Sequence, residues 1–223
     1  MAHTNPDLVD TRDMVVVHTA FRREFHLAPG LVREVAEGDR HRAEVVAEHL
    51  DLLTTMLHHH HATEDRLLWP LLIERVPAEL APVIELMEQQ HERIHAANDS
   101  VTAQLPRWRL DPSSESGEQL ATALDEVVAA LDEHLGAEEE QLLPIAARHL
   151  TDAEWLRLGE EGMAGLRGSQ LPLAFGMMRY QGDPEVVAGM LSHAPLLARL
   201  LMPVMAPRAF ARYSMKVHGT ATP

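Results

Sequence analysis

Through the first 150 residues, apolar positions recur every three or four residues over long stretches, the spacing of helices that bury one face. Four stretches of this kind follow one another. They run from about Asp7 to Glu37 with a kink expected at Pro29-Gly30, from Arg40 to Arg75 with a bend at Pro70, from Glu79 to about Gln104, and from Glu118 to His149 with a bend at Pro144. Gly38-Asp39 reads as a helix stop followed by an N-cap, and PRWRLDPSSESG, Pro106 to Gly117, as the clearest loop. Strand-like alternation is nearly absent. The pattern predicts an all-α protein whose residues 7–150 form an up-down-up-down four-helix bundle.

After Leu150 the pattern changes. Thr151 to Glu154 has the form of a capping box, and Asp183-Pro184 that of an N-cap with proline in the first turn. Seven of the eleven methionines lie from Met163 onward, where Asp183 and Glu185 are the only acids. Residues 151–223 are expected to form an extra C-terminal segment of two or three short helices, packed on the bundle or forming a homodimer contact. Charge divides at the same place: 28 acidic against 12 basic residues up to Leu150, a net of −16, then 6 against 7, a net of +1. The overall −15 argues against a nucleic-acid partner, since phosphates need a basic face. The uncharged stretch Ala188–Ala198 is too short to span a bilayer and contains Pro195. No cysteine is present, which excludes disulfides and thiolate metal sites. With no signal-peptide pattern in MAHTNPDLVD, a cytoplasmic location is expected.

The fifteen histidines change the picture most, above all HHHHATEDRLLWP, His58 to Pro70. The fourth helix repeats its plan. His60 is followed by Glu64 four residues on and Pro70 six further, and His134 by Glu138 and Pro144 at the same spacings. The acidic doublets Glu64-Asp65 and Glu138-Glu139 match as well. Upstream, His18 precedes His60 by 42 residues and His91 precedes His134 by 43, so the bundle reads as two similar helical hairpins. Successive helical residues lie about 100° apart, so four consecutive histidines cannot all face inward. The repeat favours a stripe of Leu57, His60, Glu64, Leu67 and Leu71 in the second helix and of Leu131, His134, Glu138, Leu142 and Ile145 in the fourth. His61 with Asp65 offers the competing register; His58 and His59 are read as solvated. His95, one turn from His91, is a further ligand or an outer hydrogen-bond partner.

An imidazole from each helix and a carboxylate from two of them, all on core-facing stripes, need a partner in the core. Two metal ions bridged by Glu64 and Glu138 would supply it. Imidazole and carboxylate without thiolate suit iron, manganese or zinc, and an oxygen-bridged pair with an open position favours iron or manganese.

His18, His60-x3-Glu64, His91 and His134-x3-Glu138 resemble the pattern of hemerythrin-like (HHE cation-binding) domains over about residues 10–150. The wording MVVVHTAFRREF, HHHHATEDRLLWP, LMEQQHERIH and LDEHLGAEEEQLLP is similar to actinobacterial members. The resemblance implies a four-helix bundle around a non-haem di-iron centre with oxo or hydroxo and carboxylate bridges. Oxygen-carrying hemerythrins place an aspartate five residues beyond the last histidine, whereas Glu138 comes after four, which argues against reversible oxygen carriage. Ferritin-like enzymes use Glu-x-x-His instead, a poor match.

Three functions fit these residues. A di-iron centre reacting with dioxygen, peroxide or nitric oxide in oxidative-stress defence or sensing comes first. A catalase-like enzyme disproportionating hydrogen peroxide is the alternative, with manganese or zinc as lesser metals. A structural bundle carrying zinc is the weakest. Tyr180 and Tyr213 both lie in the tail and offer no radical relay from the bundle core.

Overall fold

Helix α1 (Arg12–Arg33) reaches α2 (Arg40–Arg75) through a turn that needs glycine, since Gly38 has a φ of +79°. Asp39 then caps α2, accepting the backbone N–H of Arg42 at 3.0 Å. In the computed structural model, which describes residues 8–223, a 3₁₀ turn (Ala78–Leu80) leads into α3 (Ala81–Leu110). The fourth helix is divided into α4 (Ser114–Ala137), a π turn (Glu138–Leu142) and α5 (Leu143–His149). Successive helices pack on one another and α4 returns to α1, closing a four-helix ring.

Several boundaries differ from the sequence reading. The expected first residue of α1, Asp7, lies outside the described residues, and the helix ends at Arg33 rather than Glu37. Pro29 is absorbed within it. The expected loop from Pro106 to Gly117 is almost entirely helical, leaving only Asp111–Ser113 as a link. Trp108 explains this: it is buried, and continuing α3 past Pro106 is what carries its indole into the core. Gly117 sits against that ring, where an added Cβ would lie 3.4 Å from Trp108 Nε1.

Beyond the bundle come α6 (Asp152–Ala164), α7 (Leu171–Gln181), α8 (Pro184–Ser192) and α9 (Leu196–His218). The two or three short helices expected are therefore four, and the last has 23 residues. Pro203 and Pro207 read as breaks in the sequence. Both lie on the exposed face of α9, and Arg199 and Pro203, whose carbonyls they leave without a helical donor, are exposed as well. Val16 and Ala20 of α1 join Phe175, Met178, Val187 and Phe210 in a satellite core that fastens the tail to the bundle. Among the described residues, no helix is long and apolar enough to cross a membrane.

Helices α7 and α9 meet at Gly176, where an added Cβ would fall 2.5 Å from the Ala206 carbonyl oxygen and 2.7 Å from Phe210 Cβ. Gly176→Ala forces the pair apart, which costs about 1–3 kcal/mol and outweighs the roughly 1 kcal/mol that alanine gains in helix propensity. The expected result is a melting temperature lowered by several degrees; an unchanged or raised one would mean that the helices separate freely.

The main core is split in two. One cluster holds Phe25, Leu53, Leu57, Ile94, Leu124 and Leu131; the other holds Met14, Leu68, Trp69, Met87, Leu142 and Ile145. Between these clusters lie buried His18 on α1, His61 and Glu64 on α2, His91 on α3, and His134 and Glu138 on the fourth helix.

Candidate metal centre

The buried stripe of α2 is Leu53, Leu57, His61, Glu64, Leu68 and Leu72; it keeps Leu57 and Glu64 of the expected stripe and has the next neighbours of His60, Leu67 and Leu71. Leu67 and Leu71 are only partly buried. His61 is fully enclosed, while the His60 side chain keeps 12% of its surface exposed. Both rings nonetheless reach the polar layer, because adjacent residues on one helix straddle the inward direction when the layer is wide enough for two groups. His58 is exposed. His59, expected to be solvated, is half-buried under the end of α6, its Nε2 lying 2.9 Å from the Glu161 carbonyl oxygen.

Two sets of donor atoms result. His61, Glu64, His91 and His134 form one and His18, His60 and Glu64 the other, each with its ligand atoms within 4.8 Å of one another. The carboxylates join the sets. Glu64 lies 3.3 Å from His60 Nε2 and 3.5 Å from His91 Nε2. Glu138 lies 3.3 Å from His18 Nε2 and 3.6 Å from His134 Nε2. His95 belongs to neither set; it stands outside them, its ring 6.4 Å from that of His91 and 5.3 Å from that of His58.

The π turn begins at Glu138 and sets two consecutive carboxylates on one imidazole. Glu138 faces His18 Nε2, while Glu139 accepts His18 Nδ1–H at 2.9 Å and is itself held by Arg22 at 2.6 Å. Such a widened turn is common at functional sites. Pro144 tolerates it, having no N–H to give to the Glu140 carbonyl. Across the bundle Asp65 has the equivalent duty: it accepts His91 Nδ1–H at 2.6 Å and Trp69 Nε1–H at 2.7 Å. Gln90 Oε1 lies 3.3 Å from His134 Nδ1. These contacts turn the Nε2 atoms of His18, His91 and His134 inward.

Burial pushes His60 and His134 down to about 3 and His61 well below its ordinary value, so their rings are neutral bases. At His18 burial opposes protonation, but Glu138 and Glu139 outweigh it and raise the pKa. Burial, reinforced by Glu138, lifts Glu64 well above the carboxylate range. Glu138 moves the other way: burial raises it, and the surrounding imidazoles, His18 first, more than reverse that.

His18 Nε2, His60 Nε2, both ring nitrogens of His61 and all four oxygens of Glu64 and Glu138 are buried without hydrogen-bond partners. Native cores leave few such groups, and here they face one another. Cations bound among them would satisfy these lone pairs, so the residues fit a metal. Asp65→Asn keeps the side-chain shape and removes the charge behind His91. Metal affinity is expected to fall about 10- to 100-fold, measured by competition with a chromogenic chelator; equal affinity would show that Asp65 only packs.

Glu139 was not singled out from the sequence as acting on the site, and Asp65 only as the partner of His61 in the competing register, not as the group behind His91. The signal was present in the matched acidic doublets, whose second members hold His91 and His18 as equivalents in the repeat.

No curated protein and no solved structure was found to match the chain. The family model for the hemerythrin HHE cation binding domain matches residues 9–149. With that match spanning more than half of its length, and with a buried histidine and glutamate cluster suited to metal, the chain belongs to the hemerythrin HHE cation-binding family.

Proposed function

We propose that residues 7–150 hold two iron ions, His18 and His60 on one, His61, His91 and His134 on the other, with Glu64 and Glu138 shared, and that the centre reacts with dioxygen, peroxide or nitric oxide in oxidative-stress defence or sensing. The observation that carries this reading is the placement of the carboxylates, each touching one histidine of either set. Bound iron would supply reversible one-electron chemistry and an affinity for small oxygen- and nitrogen-containing ligands. The chain holds His60, His61 and His134 neutral, fixes His18, His91 and His134 through Glu139, Asp65 and Gln90, and sets the site between two apolar clusters.

A cavity of about 100 Å³ leads to His60 and Glu64 past Met163, Met178 and Met190. We propose that residues 151–223 serve as the wall of this entrance. The exposed row Leu196, Leu197, Leu200 and Val204 on α9 further supports a homodimer, because a segment of net charge +1 can meet its own copy without opposing the acidic bundles. Leu197→Glu with Leu200→Glu is expected to give a monomer by light scattering; an unchanged mass would dismiss that contact.

The decisive experiment uses protein expressed in iron-supplemented medium and washed with chelator. Two irons per chain support the reading. Oxygen evolved from added peroxide then selects the catalase-like enzyme, and its absence selects gas binding or sensing. A chain that retains zinc and no iron would overturn both.

A further inference from the structure

A second group of metal-ligating side chains lies in the other half of the bundle, where α1, α2 and the end of α9 converge. Glu24 and His49 are buried, and the His218 side chain is 4% exposed. His218 Nε2 stands 3.3 Å and His49 Nε2 3.6 Å from the same oxygen, Glu24 Oε2, and the two rings cross edge to face at 5.4 Å. The three donor atoms lie within 4.8 Å of one another. His49 is eleven residues from His60 on the same helix, about 17 Å at 1.5 Å per residue, so this group is separate from the first centre.

The surroundings hold the three donors in place. Arg23 grips the other carboxylate oxygen, Glu24 Oε1, at 2.6 and 2.9 Å, which leaves Oε2 for the imidazoles. Tyr213 hydroxyl sits 3.0 Å from His49 Nδ1 and turns Nε2 towards Glu24. Arg42 donates to the carbonyls of Lys216 and Val217, fixing the backbone that carries His218. A proton network alone does not complete this arrangement. His218 is within bonding distance of the carboxylate, but His49 Nε2 is buried with no partner, and so is the hydroxyl of Ser214, one turn before His218 on α9.

We propose that Glu24, His49 and His218 form a second, mononuclear site for a divalent first-row cation, zinc foremost, that clasps the end of α9 to the bundle. Two imidazoles and one carboxylate are a common three-ligand set for zinc, which completes its tetrahedron with a small fourth ligand. Arg23 and Arg42 put positive charge beside the ion, so that ligand is anionic, hydroxide or chloride. His218 is 169 residues beyond His49, and one ion closes that whole span of chain.

The test uses full-length protein whose first centre is already loaded, dialysed against micromolar Zn²⁺. One zinc per chain is expected to be gained by elemental analysis, with a rise in melting temperature. His49→Gln and His218→Gln are each expected to bind one ion fewer than the wild type while iron content and helicity stay unchanged. The difference of one ion is read even if the first centre takes zinc, so failure of the iron assignment does not hide the result. Cobalt(II) added to the loaded wild type gives a check that needs no variant: one equivalent with the strong visible bands of a four-coordinate ion is expected. No additional ion, no such bands, or a metal count in either variant equal to that of the wild type would overturn the proposal.

Discussion

His61→Ala is expected to strip metal from the protein, whereas His95→Ala leaves the metal content unchanged. His61 is enclosed among Glu64, His91 and His134, while His95 lies outside both donor sets. Loss of a residue that merely orients a ligand weakens metal binding about 10- to 100-fold, and loss of a ligand itself is expected to exceed that range. Iron per chain after desalting, followed by chelator competition, reads the difference. The opposite result, metal kept in His61→Ala and lost in His95→Ala, would mean that the loaded centre adopts a different register of α2. His60→Ala is informative beside them. It leaves His18 as the remaining imidazole of its set and should release one ion before the other.

Removing the metal is expected to lower the melting temperature by on the order of 15 °C or more. An ion present at about a thousand times its dissociation constant stabilises by roughly 4 kcal/mol, so two contribute about 8 kcal/mol, and in a protein of this size each kcal/mol is worth about 2–4 °C. Scanning calorimetry before and after chelation measures this, and equal transitions would remove the centre from the account of stability. The metal-free protein is also constrained by pH. His60 and His134 have folded-state pKa values lowered to about 3, so their contribution is complete above the unfolded value near 6.5 and is lost as pH falls below it. Glu64 is raised, so its contribution is present below the ordinary carboxylate value and is lost as pH rises through the folded one. Bound cations take neutral imidazole and ionised carboxylate together and relieve both losses. The loaded protein should therefore show the flatter profile between mildly acid and neutral pH.

The helical bundle was legible in the sequence because its periodicity extends over whole helices, and His18, His60, Glu64, His91, His134 and Glu138 as candidates because the repeat sets them at matched spacings. The register around His60 and His61 was not legible. Below the histidines α2 reads Leu67-Leu68 and Leu71-Leu72, so either neighbouring stripe is equally apolar. His61 has no counterpart in the fourth helix, where the matching residue is Leu135, and a search for symmetry passes over it. The π turn at Glu138 leaves no glycine or other compositional mark in Glu138–Leu142. In α9, prolines that signal a break in isolation are tolerated because of the face on which they fall, which only the packed structure reveals.

The division of the core by a polar layer has a consequence for how the helices find their alignment. Leucine, alanine and valine above and below the layer are close to interchangeable, and apolar packing alone would distinguish poorly between neighbouring alignments. A slip of one helix by one turn, about 5.4 Å, leaves many such contacts replaced by similar ones. The same slip would set Leu57 or Leu68 opposite Glu138 and drive His61 or Glu64 into hydrocarbon without a partner. Histidine and glutamate in mid-core thus act as a vernier: they weaken the metal-free fold and, in exchange, leave it one alignment in which every helix agrees.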